Sequence, residues 1–347
     1  MLETIGFEPE MAGWAAAADA AVGRVVRVDR GVASLLTERG PCRAGYGAQL
    51  LARIAADPTE APCTGDWCVV REWPDHRATV EQVLPRRTAM VRATAGESSH
   101  GQVLCANVDL AGVVVGLHPD PGLAKIERLL TLAWESGAQP LVILTKADLV
   151  PDADLVAQDV ADLAPEVEVV VTSTVTGAGL DRLHALLDGR RTLALVGTSG
   201  HGKSSLTNAL IGAELLTTRE IRADGRGRHT SVRRELVVLP GGGAVIDTPG
   251  LRGLGLIDAA AGLARAFADV DEFADACRFR DCSHLQEPDC AVREAIADGV
   301  LPVRRFESWQ RLQREVTWMA SRKDARLRAE RVRERKRRVR EGGKPRP

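Results

Sequence analysis

Gly197, Gly202, Lys203 and Ser204 fall in the spacing G-x-x-x-x-G-K-[ST] within GTSGHGKSS, residues 197–205. A turn of this kind cradles phosphate, because successive backbone N–H groups and a helix N-terminus point at anionic oxygens. The lysine can reach the β and γ phosphates, and the hydroxyl after it can ligate magnesium. The flanks give the required context: the apolar run TLALVG precedes the turn and SLTNALIG has helical character after it. Thr198, Ser199, Gly200, His201 and Ser205 complete the candidate phosphate-binding set, and Lys203 is also a catalytic candidate. Two features are unusual. The loop lies past the middle of a 347-residue chain, and a histidine sits inside it.

Downstream, GGGAVIDTPG ends an apolar run with Asp247-Thr248-Pro249-Gly250. A carboxylate at a strand end beside a phosphate loop can hold magnesium through water. The Gly250 N–H could sense a γ-phosphate. Between the two motifs lies GRGRHTSVRREL, polar and Gly-rich, where Thr230 or its neighbour Ser231 could give the metal a second hydroxyl. Such a segment would be ordered by the γ-phosphate and released on hydrolysis. Ser204, Thr230 and Asp247 are therefore the magnesium candidates, and Thr230 is a catalytic candidate as well.

Base choice is written upstream of the loop. LVILTKADLV ends an apolar run with Thr145-Lys146-Ala147-Asp148. The Asp148 carboxylate can accept two hydrogen bonds from the N1–H and exocyclic amine of guanine, a donor pair that adenine lacks. The Lys146 stem can lie against the base. Alone, T-K-x-D could be an ordinary helix start; at a strand end in a phosphate-loop protein it selects guanine. The next apolar run ends in Thr172-Ser173-Thr174, where a loop containing Ser173 could back the guanine carbonyl. The usual GTPase runs phosphate loop, switch, D-x-x-G, base motif. Here the base motif comes first and D-x-x-G last, the order of a circularly permuted GTPase, which nearby termini make tolerable.

CRFRDCSHLQEPDC sets out Cys277, Cys282, His284 and Cys290. Three thiolates and one imidazole this close together match a closed tetrahedral zinc site, and four protein ligands leave no open position, so one structural zinc is expected. Cys63 and Cys68 have no nearby second pair and read as residues of a barrel.

Positioning these groups takes several elements. Residues 21–93 contain short β-rich runs (VGRVVRV, VASLLTE, DWCVVRE, ATVEQVL) broken by Gly, Pro and Asp, which predicts an N-terminal barrel of the OB type. TAGESSHGQ, residues 94–102, reads as a linker. Over 103–255 apolar runs alternate with helical stretches, which predicts a central, mostly parallel sheet with helices on both faces. Residues 256–320 read as a helical zinc-binding region and 321–347 as a basic tail, giving a multidomain α/β chain with residues 1–20 unassigned. Of 46 basic and 47 acidic residues, 13 and 4 fall between Arg322 and Pro347, so the tail carries +9 and the rest −10. A basic tail on an acidic body points to a polyanionic partner. No stretch approaches the length of a membrane span. The seven unevenly spaced cysteines, with no export signal, read as cytosolic thiols or metal ligands, hence a cytoplasmic protein.

A barrel, T-K-A-D, GTSGHGKSSL, G-R-H-T, D-T-P-G and C-x4-C-x-H-x5-C in this order resemble the bacterial ribosome-small-subunit-dependent GTPase A family (RsgA), over roughly residues 20 to 320. The resemblance implies that barrel, GTPase and zinc regions together engage the small ribosomal subunit and its rRNA. It further implies a role in late subunit maturation, with GTP hydrolysis stimulated by the subunit; a monomer is expected. The position after D-x-x-G, where many GTPases carry a water-orienting glutamine, is Leu251, which cannot hydrogen-bond. Unaided turnover should be slow, and a ribosomal group or His229 must place the water. The resemblance favours His229, whose flanking Arg228 and Thr230 match the motif. Two residues depart from the family pattern: Thr145 stands where Asn is usual, and His201 where a small aliphatic residue is usual. His201 is expected to be a tolerated substitution, or to tighten phosphate binding when protonated below about pH 6.5. Two rivals stay open: a GTP-gated RNA-binding placeholder whose hydrolysis is incidental, and a phosphate-loop ATPase or small-molecule kinase, which Asp148 argues against.

Overall fold

The computed structural model describes residues 2–16, 20–93, 101–117, 121–187, 189–212, 234–248, 256 and 259–323. After helix α1 (Met11–Ala16) come β1 (Ala21–Asp29), β2 (Val32–Thr37), β3 (Gly40–Tyr46), helix α2 (Ala48–Ala56), β4 (Trp67–Glu72) and β5 (Ala78–Val83). The five strands close into a barrel in the order β1-β2-β3-β5-β4, the OB-type unit expected. Only the β3–β5 pair is parallel. Small and branched residues fill the narrow interior: Val25, Ala33, Leu35, Ala44, Val70 and Val80, joined by Leu50 from α2. Cys68 lies in this barrel core, whereas Cys63 packs with Val103 and Ala106 outside it. Strand β3, GPCRAGY, is illegible as a strand from its sequence because Gly and Pro are poor strand formers. Pairing with β2 and β5 holds it.

β6 (Ala89–Ala93) and β7 (Gly101–Ala106) form an antiparallel hairpin. Gly101 and Gln102, expected in a linker, therefore belong to a strand, and residues 94–100 lie outside the described residues.

The central sheet contains β8 (Leu110–Gly116), β9 (Gln139–Thr145), β10 (Glu168–Val171), β11 (Thr192–Val196), β12 (Glu235–Val238) and β13 (Ala244–Asp247), in the order β10-β9-β8-β11-β13-β12. All pairs are parallel except β12–β13. Every residue of β8 and β11 is buried, as expected of strands covered on both faces. Alternate residues feed two cores. Val113, Val115, Val142, Leu144 and Ala194 face helices α3 (Leu123–Glu135) and α4 (Ala153–Leu163). Val114, Leu141, Ile143, Leu193 and Leu195 face α5 (Leu180–Leu187) and α6 (Lys203–Ile211). The chain winds from β8 to β9 and β10 on one side, then returns to β11 and β13 on the other. The carboxyl ends of β8, β9, β11 and β13 thus share one edge, at a topological switch point of the kind where open α/β sheets bind ligands.

Beyond the sheet, α7 (Ala260–Ala266), α8 (Ala268–Asp275), α9 (Ala291–Ala297) and α10 (Val303–Lys323) form the C-terminal helical region. It is docked on α3. A Cβ at Gly262 would lie 2.3 Å from the Thr131 carbonyl oxygen, so only glycine allows α7 this close. Glu127 of α3 is fully buried and paired with Arg304 and Arg305, and Arg128 forms a two-pronged pair with Glu315 of α10. The Leu256 N–H donates to the same Glu315 carboxylate at 3.2 Å, tying the chain leaving the D-x-x-G region to α10.

Residues 2–16, unassigned from sequence, pack at the seam between barrel and sheet. Leu2 and Ile5 are buried, and the Thr4 carbonyl accepts from Gly243 N. Arg24 of β1, buried, donates to the carbonyls of Ile5 and Asn107 and to Thr192 Oγ1 while its guanidinium lies over Trp67. Among the described residues no helix is long and apolar enough to cross a membrane.

Candidate nucleotide site and metal cluster

Gly197 leaves β11 against β8: a Cβ there would stand 2.4 Å from the Val114 carbonyl oxygen. Gly200 and Gly202 have φ of 88° and 83°, the left-handed region open to glycine, and Gly202 caps the N-terminus of α6. Thr198, Ser199, Gly200, His201 and Gly202 form a partly exposed turn, with Ser204 and Ser205 in the first turn of the helix. Lys203 is buried, its Nζ donating to the carbonyls of Gly197 and Thr198, each at 2.9 Å. Burial pulls its ammonium below the ordinary lysine range, and Asp247 works against that shift. The amine is thus held at the mouth of a ring of backbone groups, where it could exchange loop carbonyls for phosphate oxygens.

Asp247 ends β13 beside this turn. Its Oδ2 accepts from Ser204 Oγ at 2.7 Å, while Oδ1 is buried with no hydrogen-bond partner among the described residues. Burial pushes its carboxyl above the usual carboxylate range. A buried, unpartnered carboxylate oxygen next to a hydroxyl is a donor set that fits magnesium or its water. The Thr248 hydroxyl, missed from sequence, donates to the Leu195 carbonyl at 2.6 Å and ties the end of β13 to β11. Gly250, Leu251, Arg228, His229, Thr230 and Ser231 lie outside the described residues.

The base-side residues sit at the adjacent strand end. Lys146 adopts φ 62° and opens a short turn bearing Asp148, which is exposed. The buried Ser173 donates its hydroxyl to Asp148 Oδ1 at 2.6 Å, orienting the carboxylate. This role for Ser173 was not legible from sequence. Thr145 is buried, and its hydroxyl donates to the His201 carbonyl at 2.8 Å, within the 197–204 turn.

The surroundings of His201 work against the second of its two readings, protonation below about pH 6.5. Its Nδ1 accepts the Gly116 N–H at 3.2 Å. Burial, with Lys203, Lys125 and Lys146 adding to it and the Val114 carbonyl acting against it, pushes its pKa down to about 4. These surroundings favour the neutral ring.

The second constellation lies between α8 and α9. The ligand atoms of Cys277, Cys282, His284 and Cys290 all lie within 4.8 Å of one another. Around one tetrahedral zinc, sulfurs would stand about 3.8 Å apart and sulfur and nitrogen about 3.5 Å apart. Cys277 Sγ and Cys290 Sγ are 3.9 Å apart, and each lies 3.5 Å from His284 Nδ1. The donor set therefore fits such an ion. His284 has φ 58° and packs edge-on against Phe306 and Trp309 of α10, while Cys290 caps α9.

Comparison with known proteins agrees with this geometry. The family model for the RsgA GTPase matches residues 83–257. The small ribosomal subunit biogenesis GTPase RsgA of Streptomyces coelicolor is 51% identical over 320 residues, covering 91% of this chain and 86% of that protein. A protein of the same name from Methanosarcina acetivorans is 37% identical, covering 90% and 85%. Among solved structures, YjeQ from Thermotoga maritima is 25% identical with a TM-score of 0.62, covering 84% of this chain and 96% of that one. YloQ, described as a circularly permuted GTPase, shares the fold at 24% identity and a TM-score of 0.57, covering 88% and 96%. Matched across half its length by the family model, and across nine-tenths by a relative sharing half its residues, the chain belongs to the RsgA GTPase family.

Proposed function

We propose that this chain is a GTP hydrolase that acts in biogenesis of the small ribosomal subunit, the role carried in its relatives' names. The observation that carries this reading is the meeting of Asp148, the 197–204 turn and Asp247 at one sheet edge, although they follow the chain in permuted order. Guanine would be read by Asp148, held in place by Ser173, with the Lys146 stem against the ring. The β and γ phosphates would lie in the turn from Gly197 to Ser205, with Lys203 against them. Ser204 and Asp247, with Thr230 and the Gly250 N–H from outside the described residues, would hold magnesium and the γ-phosphate. When bound, the ion neutralises charge that develops on the transferred phosphoryl group. His229 would orient the attacking water, since Leu251 cannot.

The units of this enzyme would be the barrel (21–93), the GTPase region (103–255), the zinc-binding region (256–320) and the basic tail (321–347). Zinc on Cys277, Cys282, His284 and Cys290 would cross-link a small region that has little core of its own. The subunit's rRNA suits a tail of charge +9, and stimulation by the subunit would time release of a cytoplasmic, monomeric factor.

Base selection is tested by competition. GTP and GDP should displace a fluorescent GDP while ATP does not, and Asp148→Asn should weaken GTP binding about 100-fold while improving binding of xanthosine triphosphate. Xanthine offers a carbonyl where guanine has its amine, and an asparagine amide can donate to it. Displacement by ATP as effective as by GTP would remove the guanine reading.

A further inference from the structure

Strand β8 outruns its neighbour. In a parallel sheet successive N–H groups of a strand point alternately to its two sides. Leu117 N donates to the Thr145 carbonyl on the β9 side at 2.9 Å, so the N–H of Gly116 faces the β11 side. There β11 has already ended: its last residue, Val196, is in register with Val113, and the chain beyond it has left the sheet as the phosphate loop. The Gly116 N–H is met instead by the imidazole of His201, which accepts it at Nδ1. The main chain of the same residue is also held, since its carbonyl accepts the Thr145 hydroxyl from the end of β9. One loop residue is thus fastened to both strands on the guanine side of the site, to β8 by its side chain and to β9 by its carbonyl. An aliphatic residue at 201 could not make the first of these bonds.

We propose that His201 is a positioning residue that fixes the phosphate loop to the ends of β8 and β9, so that the loop is set before nucleotide arrives. The proposal rests on reading residues 145–148 and 197–204 as a guanine-nucleotide site. A loop organised in advance binds more tightly, because less ordering is left to the binding step. The acceptor role needs a neutral ring; burial opposes protonation, as do the cations around it, Lys203 at the start of α6, Lys125 of α3 and Lys146 after β9, while the Val114 carbonyl acts the other way.

Two measurements on the full chain test this. In titrations with fluorescent GDP, His201→Val should bind about five- to tenfold more weakly, the size of one lost hydrogen bond, through faster dissociation. His201→Asn, whose side-chain oxygen can take the place of Nδ1, should recover most of the affinity. Thr145→Val combined with His201→Val should cost less than the two single losses multiplied, because both bonds hold one loop residue. In nitrogen-15 spectra of the nucleotide-free protein labelled at histidine, the His201 ring should stay neutral with a bare Nδ1 down to pH 5.5. Equal GDP affinity in wild type and His201→Val, or a ring that titrates near pH 6.5, overturns the proposal. Wild type without affinity for GDP sinks the nucleotide-site reading instead, and the ring spectra then decide the role of His201 on their own.

Discussion

Asp247 carries two opposed demands. On the proposed reading its carboxylate is ionised to hold a cation, yet it is buried, with Oδ1 lacking a hydrogen-bond partner among the described residues, and burial raises its pKa. A folded-state pKa above the unfolded value means that the ionised group weakens folding. That penalty is absent below the unfolded pKa of about 3.9 and grows as pH rises through the folded value. Asp247→Asn should therefore melt higher than wild type at pH 7 without nucleotide, the advantage vanishing toward pH 4 in calorimetry. The same variant should hydrolyse GTP about 100-fold more slowly with magnesium present. A variant that melts lower than wild type at pH 7 would show that the carboxylate is not strained by burial. At this scale the residue types were legible where chemistry restricts the choice, as for Lys203 or Asp148. The partners of Thr145, Ser173 and His201 were not, because each depends on which strand ends lie side by side, and spacing along one chain carries no such information.

The elements show the same division. Strands β8, β9 and β11 announce themselves as unbroken apolar runs because helices cover both their faces. Strand β3 and the hairpin β6–β7 do not, since pairing with distant neighbours and not their own propensity makes them strands. Among the C-terminal helices, the Cys277–Cys290 segment holds its shape between α8 and α9, His284 in a left-handed conformation against rings of α10. A strong chelator should release one zinc per chain, measured by metal analysis, and lower the unfolding midpoint of the helical signal. Cys282→Ser should reproduce both effects. Purified protein free of zinc with an unchanged unfolding profile would contradict the structural role.

For the whole molecule, two seams hold the parts in one arrangement. Arg24 joins the barrel to the sheet through three acceptors contributed by distant parts of the chain, and burial lowers its pKa to about 10. Arg24→Leu strands those acceptors and should lower stability by about 2–4 kcal/mol in denaturant unfolding, far more than a surface arginine. The second seam runs from Leu256 through Glu315 to Arg128, so the exit from the D-x-x-G region, α10 and α3 share one carboxylate. Through α10 this seam leads on to the basic tail. The central claim, a GTPase switched on by its ribosomal partner, is tested most directly by GTP turnover titrated with purified small subunits. Turnover should be slow alone, should rise at least about tenfold to saturation near one subunit per chain, and should stay low with large subunits or with His229→Ala. Turnover that stays flat across the titration would contradict it and leave a GTP-gated binding protein in its place.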